Sequence, residues 1–253
     1  MSFQEYLSSF NLATSEWLLA MLCGMLIGMA KTGLSGAGLA VVPIFVMIFG
    51  GKPSTGFLLP MLIFADIFAV SYYNRHANWK HVFKLLPWAI AGIIFALLVG
   101  ETISDKQFKQ VISITVIAGI IILIWRDSRK NRFSVPNYWW FSSLMGFAGG
   151  FATMIGNAAG PIMTVYLLSM RLPKNNYIGT AAWFFFIVNV FKVPLHVFFW
   201  ETITIETMFF DLLMIPSILL GVFTGIAIVR IIPENIYRLL LILSTVLSAL
   251  ILF

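Results

Sequence analysis

Gly28-Met-Ala-Lys31-Thr-Gly33-Leu-Ser35-Gly36-Ala-Gly38 and Gly150-Phe-Ala-Thr153-Met-Ile-Gly156-Asn157-Ala-Ala-Gly160 are the two stretches on which the reading of this chain turns. Gly28 and Gly38 recur as Gly150 and Gly160, a constant offset of 122. Further along, Pro87, Gly92, Ile103 and Asp105 recur as Pro216, Gly221, Ile232 and Glu234, an offset of 129. Two landmarks in register mark an internal duplication, with copies over residues 15–126 and 138–253. The change of offset puts a few inserted residues near 196–207. Repeats of this size are a mark of membrane transporters.

Composition agrees. Of 253 residues, 60% are hydrophobic and 10% are charged, whereas a soluble domain carries about 25% charged residues. Apolar stretches fall at residues 17–30, 57–71, 83–100, 111–125, 177–200, 209–229 and 239–253; a membrane-crossing helix needs roughly 20 apolar residues. Residues 39–49 and 162–170 are too short to cross as ordinary helices, and 138–155 is rich in Gly and Ser. The chain therefore reads as one integral membrane domain over 1–253, with the lipid bilayer as its surroundings. The net charge of +6 resides in loops between spans, which speaks for membrane orientation and against a nucleic-acid partner. The single cysteine, Cys23, makes no internal disulfide. Residues 1–16 lack Lys and Arg, unlike a signal peptide, so the first span is expected to be retained.

Each copy holds five hydrophobic elements, the first two short and meeting at the glycines. Irregular backbone at membrane depth is tolerated only under protein or along a watery cavity. The plainer reading of the glycines is close helix packing alone. Two arrangements compete. If the first two elements form one broken crossing, the copies are parallel. If they form a hairpin that returns to its starting side, three crossings follow and the second copy is inverted. Under the hairpin, one side collects Arg75, Lys80, Lys84, Arg126, Arg129, Lys130, Arg132, Arg171, Lys174, Arg230 and Arg238, and the other only Lys52, Lys106 and Lys109. Under the broken crossing the same residues split evenly. The positive-inside rule favours the hairpin. The expected fold is an all-α polytopic membrane protein of two inverted repeats, each a hairpin of short helices plus three transmembrane helices. It would lie in the cell inner membrane, with both termini on the periplasmic or extracellular side.

Lys31 and Lys192 lie within apolar stretches, one per copy. A lysine at the bilayer centre costs about 2.5–3.5 kcal/mol on insertion scales and needs a partner. Asp66 is similarly placed, and its repeat position is Asn189, three residues before Lys192; Ser35 and Asn157 are also repeat positions. His196 follows Lys192 by four residues, on the same helix face. These residues suit an anion site. Lys31 and Lys192 supply charge; Ser35, Gly36, Gly38, Asn157 and Gly160 supply donors; Asp66, Asn189 and His196 serve ion pairing or coupling. The plainer alternatives are snorkelling lysines, a structural Asp66–Lys192 pair and a packed His196. Gly33-Leu-Ser35-Gly36 also spells a serine-protease pattern, which would need a histidine beside Ser35. No metal-ligand cluster, phosphate loop or dinucleotide fingerprint is visible, so no cofactor and no metal are expected.

Gly24-Met-Leu-Ile-Gly28 through Gly33-Leu-Ser-Gly36-Ala-Gly38 and Pro43 resembles the first repeat motif of the sulfite exporter TauE/SafE family, and Gly146-Phe-Ala-Gly149-Gly150 through Gly156-Asn-Ala-Ala-Gly160-Pro161 resembles the second. The resemblance covers nearly the whole chain. It implies a secondary transporter, not an enzyme, for small sulfur-containing anions such as sulfite or organosulfonates. It further implies coupling to an ion gradient, with protons as the coupling partner, and alternating access. A homodimer is compatible with it. The chain departs from the family pattern in having fewer glycines at 156–160 and in carrying Lys31 before the first break. A passive anion channel is the rival reading, and an intramembrane protease using Ser35 the more distant one.

Overall fold

A computed structural model describes residues 10–104, 106–108, 110–111, 114, 139–233 and 236–237. The described residues contain no strand. The helices are α1 (Thr14–Lys31), α2 (Val41–Phe49), α3 (Gly51–Tyr73), α4 (Trp79–Thr102), α5 (Trp139–Gly156), α6 (Gly160–Ser169), α7 (Lys174–Phe198) and α8 (Ile205–Ile231), with 3-10 turns at Ser35–Ala40 and Asn74–His76. The spans expected at 111–125 and 239–253, with Arg126, Arg129, Lys130, Arg132, Lys109, Asp105, Glu234 and Arg238, lie outside the described residues, a few positions excepted.

Among the described residues, four helices have the length and composition to cross a membrane: Gly51–His76 including its 3-10 turn, Trp79–Thr102, Lys174–Phe198 and Ile205–Ile231. Each begins several residues before the apolar stretch that announced it, although Lys174–Phe198 ends short of the expected 200. Helical hydrogen bonding does not stop where the hydrocarbon does, so polar turns such as those at Lys52 and Lys174 continue the helix into the interface. The glycine-flanked helices differ from expectation. Only α2 and α6, with 9 and 10 residues, are short. Their partners α1 and α5 each have 18 residues, about 27 Å at 1.5 Å per residue.

Each of these unequal pairs folds back on itself. The outer ends of α1 and α2 meet in one aromatic cluster: Trp17 stacks on Phe210 with centroids 5.5 Å apart, and Phe49 lies 5.2 Å from Phe210 and 4.0 Å from Phe57. The outer ends of α5 and α6 meet likewise. Phe141 stacks on Tyr166 at 5.8 Å, and the Tyr166 hydroxyl bonds Ser142 Oγ at 3.2 Å and His81 Nδ1 at 3.0 Å. Phe210 heads α8 and His81 heads α4, so the two hairpins are fastened at the heads of two different spans.

Helix packing matches at the positions that the offsets of 122 and 129 pair. A Cβ on Gly28 would overlap Ile218 O and Val222 N of α8, and one on Gly221 would overlap Met25 O of α1. At the repeat positions, a Cβ on Gly150 would overlap Ala89 O of α4, and one on Gly92 would overlap Phe147 O of α5. So α1 packs on α8 as α5 packs on α4, backbone to backbone, each pair drawn from different copies. Such close approach is the role small residues play between membrane helices. Contacts along α1 and α8 advance together, from Gly24 on Ser217 to Thr32 on Gly225, so these helices are parallel. Equivalent helices α3 and α7 run antiparallel. Gly56 near the start of α3 meets Thr202 just past α7, and Gly179 near the start of α7 meets Tyr73 and Ala77 at the end of α3.

Candidate functional site

The tips of the two hairpins pass one another beside α3 and α7 and enclose a cavity of about 110 Å³. Roughly 10–15 Å³ would admit one water. Lys31, Thr153, Asn157, Thr164, Tyr177 and Asn189 give the cavity its polar wall. Gly38 and Gly160 contribute backbone, and Leu58, Met163 and Phe185 are among the apolar lining.

Lys31 is the last residue of α1, where the unpaired carbonyls of the helix end favour a cation. Its Nζ stands 2.9 Å from Asp66 Oδ1 and 3.1 Å from Oδ2. It also lies 4.5 Å from the centre of the Phe185 ring, a cation–π contact. Asp66 is fully buried in α3, and Asn189 Nδ2 of α7 donates to its Oδ2 at 2.7 Å. Asp66 and Asn189 are repeat positions, so this bond lies where the two copies face each other. The ion pair of Asp66 is thus made with Lys31, in place of the Lys192 pairing considered from sequence. Lys31 keeps 12% of its side-chain surface accessible, and Asp66 none.

Lys192 is fully buried and stands behind the cavity wall. Its Nζ donates to Asn157 Oδ1 at 2.6 Å, Thr153 O at 2.9 Å and Thr153 Oγ1 at 3.0 Å. Thr153 O belongs to the last turn of α5, at the end of the helix that favours a cation. Asn157 ends that helix with φ of 53°, a left-handed conformation that asparagine tolerates better than most residues. Its N–H returns to Thr153 O at 3.0 Å and its Nδ2 donates to Thr55 O at 3.3 Å. Thr153 is the repeat position of Lys31. The end of α1 therefore carries its own cation, and the end of α5 receives one from α7.

The first tip is tied from its other side. Tyr73 Oη donates to Thr32 O at 3.3 Å and Tyr237 Oη to Gly33 O at 2.7 Å. The 3-10 turn Ser35–Ala40 forms the tip itself. The Ser35 side chain and Gly36 lie outside the described surroundings. His196 does not join the site: its Nδ1 is 2.8 Å from Thr202 Oγ1 and its ring packs on Trp200. Gly33 lies against Ile178, which is 18 residues from His196 on the same helix, about 27 Å. Ser35, two residues from Gly33, is therefore out of reach of that histidine, and the protease pairing is excluded.

Of the ion pair, Lys31 lines the cavity and Asp66 stands buried behind it. A family model described as "Sulfite exporter TauE/SafE" matches residues 20–252. The chain belongs to the TauE/SafE family. No curated protein and no solved structure shows significant similarity to it. As a TauE/SafE protein it is a membrane transporter of anions and not an enzyme. Sequence reasoning did not single out Thr153, which holds Lys192, or Phe185, which faces Lys31. Thr153 was within reach, since it stands at the repeat position of Lys31; nothing in the sequence marked Phe185 among so many phenylalanines.

Proposed function

We propose that this TauE/SafE protein carries a small sulfur-containing anion, sulfite or an organosulfonate, by alternating access through the cavity between the hairpin tips. The Lys31–Asp66 pair at that cavity carries the reading. The anion takes the place of the Asp66 carboxylate at Lys31, and a proton on Asp66 removes the competing charge. Anion and proton then enter together, so a pH gradient drives the flux. Asn157, Gly38 and Gly160 orient the anion through amide groups, with the start of α6 adding its positive dipole end; Ser35 and Gly36 act from the opposite tip. Lys192 contributes from behind Asn157, by holding the tip and adding positive potential. Asn189 holds Asp66 in place, and His196 fixes the chain after α7.

The membrane arrangement belongs to the same reading. Antiparallel packing of the equivalent helices α3 and α7, and hairpins opening toward opposite ends, support inverted repeats. Lys174 Nζ caps α8 by donating to Val229 O at 2.9 Å and Ile232 O at 2.7 Å. It lies at the end of the bundle shared by Arg75, Lys80, Arg171 and Arg230, which would be cytoplasmic. Both termini would be on the periplasmic or extracellular side.

The test is flux of radiolabelled sulfite and sulfoacetate into proteoliposomes, with and without a pH gradient. The expected result is saturable uptake that responds to the gradient, is abolished by Lys31→Ala, and loses its pH response in Asp66→Asn. Flux of neither anion by folded protein would sink the substrate class. Unsaturable, gradient-independent conductance would replace the transporter by a channel.

A further inference from the structure

Asp211 takes no part in the site above. It lies on α8 six residues past Ile205, about 9 Å along the helix. Its side chain is more than nine-tenths buried, and neither carboxyl oxygen has a hydrogen-bond partner among the described residues. It faces a second cavity, about 180 Å³, walled by Pro60, Met61 and Phe64 of α3 and by Met208, Leu212 and Ile215 of α8. Met208 and Leu212 are exposed on the apolar outer surface, so this cavity opens toward lipid, away from the hairpin tips.

Among the described residues, the charged groups of the elements packed against it lie elsewhere. Lys31 of α1 faces Asp66, and Glu16 accepts from Ala13 N–H. Lys52 of α3 stands over the Trp200 ring, and Glu206 is exposed at the head of α8. An ionised carboxylate with no partner in apolar surroundings is strongly disfavoured, whereas the neutral acid is not. The wall offers no second side-chain oxygen, so a metal cation would find a single carboxyl where it needs several oxygens. A proton needs only one.

We propose that Asp211 is a proton-binding site, reached from the lipid-facing cavity between α3 and α8 and separate from the Lys31–Asp66 pair. It is read without any transported substrate, so it stands or falls apart from the sulfur-anion reading.

The experiment treats the full chain in liposomes with dicyclohexylcarbodiimide, an apolar reagent that reacts with protonated carboxyls. The carboxyl proton moves to a reagent nitrogen, the carboxyl oxygen bonds the central carbon, and rearrangement leaves a stable N-acylurea with no group lost. Peptide mass analysis should find the adduct on Asp211, with a rate falling about tenfold per pH unit above the titration point. Asp211→Asn should carry no adduct there, and Asp66→Asn should leave Asp211 labelling unchanged. In parallel, the infrared band of a protonated carboxyl should disappear in Asp211→Asn. Absence of the adduct from folded protein, labelling indifferent to pH, or an infrared band unchanged in Asp211→Asn would each overturn the proposal.

Discussion

Lys31 and Lys192 look alike in the sequence, each alone in an apolar helix, yet their surroundings separate them. Lys31 reaches a carboxylate and a cavity; Lys192 reaches three neutral oxygens at the end of a helix. Removing either charge should therefore have different consequences. Lys31→Met strands the buried Asp66, a loss that for a broken buried pair is about 3–5 kcal/mol. The double variant Lys31→Met/Asp66→Asn should recover most of the lost thermal stability while remaining unable to transport. Lys192→Met keeps the chain length but takes from Asn157 Oδ1 its donor, while Thr153 O keeps the Asn157 N–H; an unsatisfied buried group costs about 1–3 kcal/mol. Its melting temperature in detergent should fall, and sulfite flux should be reduced less than by Lys31→Met. Equal loss of flux in both would show that Lys192 also meets the anion.

At the scale of elements, the glycines divide into two kinds. Those at 28, 92, 150 and 221 are pressed against backbone of a neighbouring helix. Gly221→Val should push α8 away from α1 and cost about 1–3 kcal/mol, as overpacking does, visible as a lower unfolding temperature. Gly160 is different: an added Cβ there meets nothing within 4 Å, and the residue opens α6 at the cavity wall. Gly160→Ala should leave stability within about 0.5 kcal/mol, while raising the KM for the anion by narrowing the cavity. A large stability loss would mean that the tip is packed more tightly than its surroundings indicate. The repeat motif announced all these glycines alike, because a sequence motif records that a small residue is needed and not which neighbour needs it.

For the whole molecule, the two copies interlock. Each copy lends its first helix to the fourth helix of the other, α1 on α8 and α5 on α4, and their third helices cross antiparallel at Asp66 and Asn189. This arrangement predicts opposite exposure of the two ends. In a Cys23→Ala background, cysteines at Arg75 and Arg171 should react with an impermeant thiol reagent from the cytoplasmic face only, and one at Glu201 from the opposite face only. Labelling of Arg75→Cys and Glu201→Cys from the same face would remove the inverted arrangement.

Sequence alone determined the membrane class and the family and pointed to a duplication with glycine breaks, because apolar length, offset and motif are properties of the chain's order. It also named Lys31, Asp66, Asn189, Asn157 and Lys192, since charges and amides are conspicuous among apolar residues. Tertiary structure decided which lysine holds the carboxylate, because that choice depends on where the end of α1 meets the middle of α3, 35 residues away. It sent His196 to Thr202, far from Ser35, because 18 residues of helix separate His196 from Ile178, against which Gly33 lies. It also gave Asp211 a cavity and no hydrogen-bond partner among the described residues. That aspartate passed unnoticed within its apolar stretch because the absence of a partner is a fact about neighbours in space.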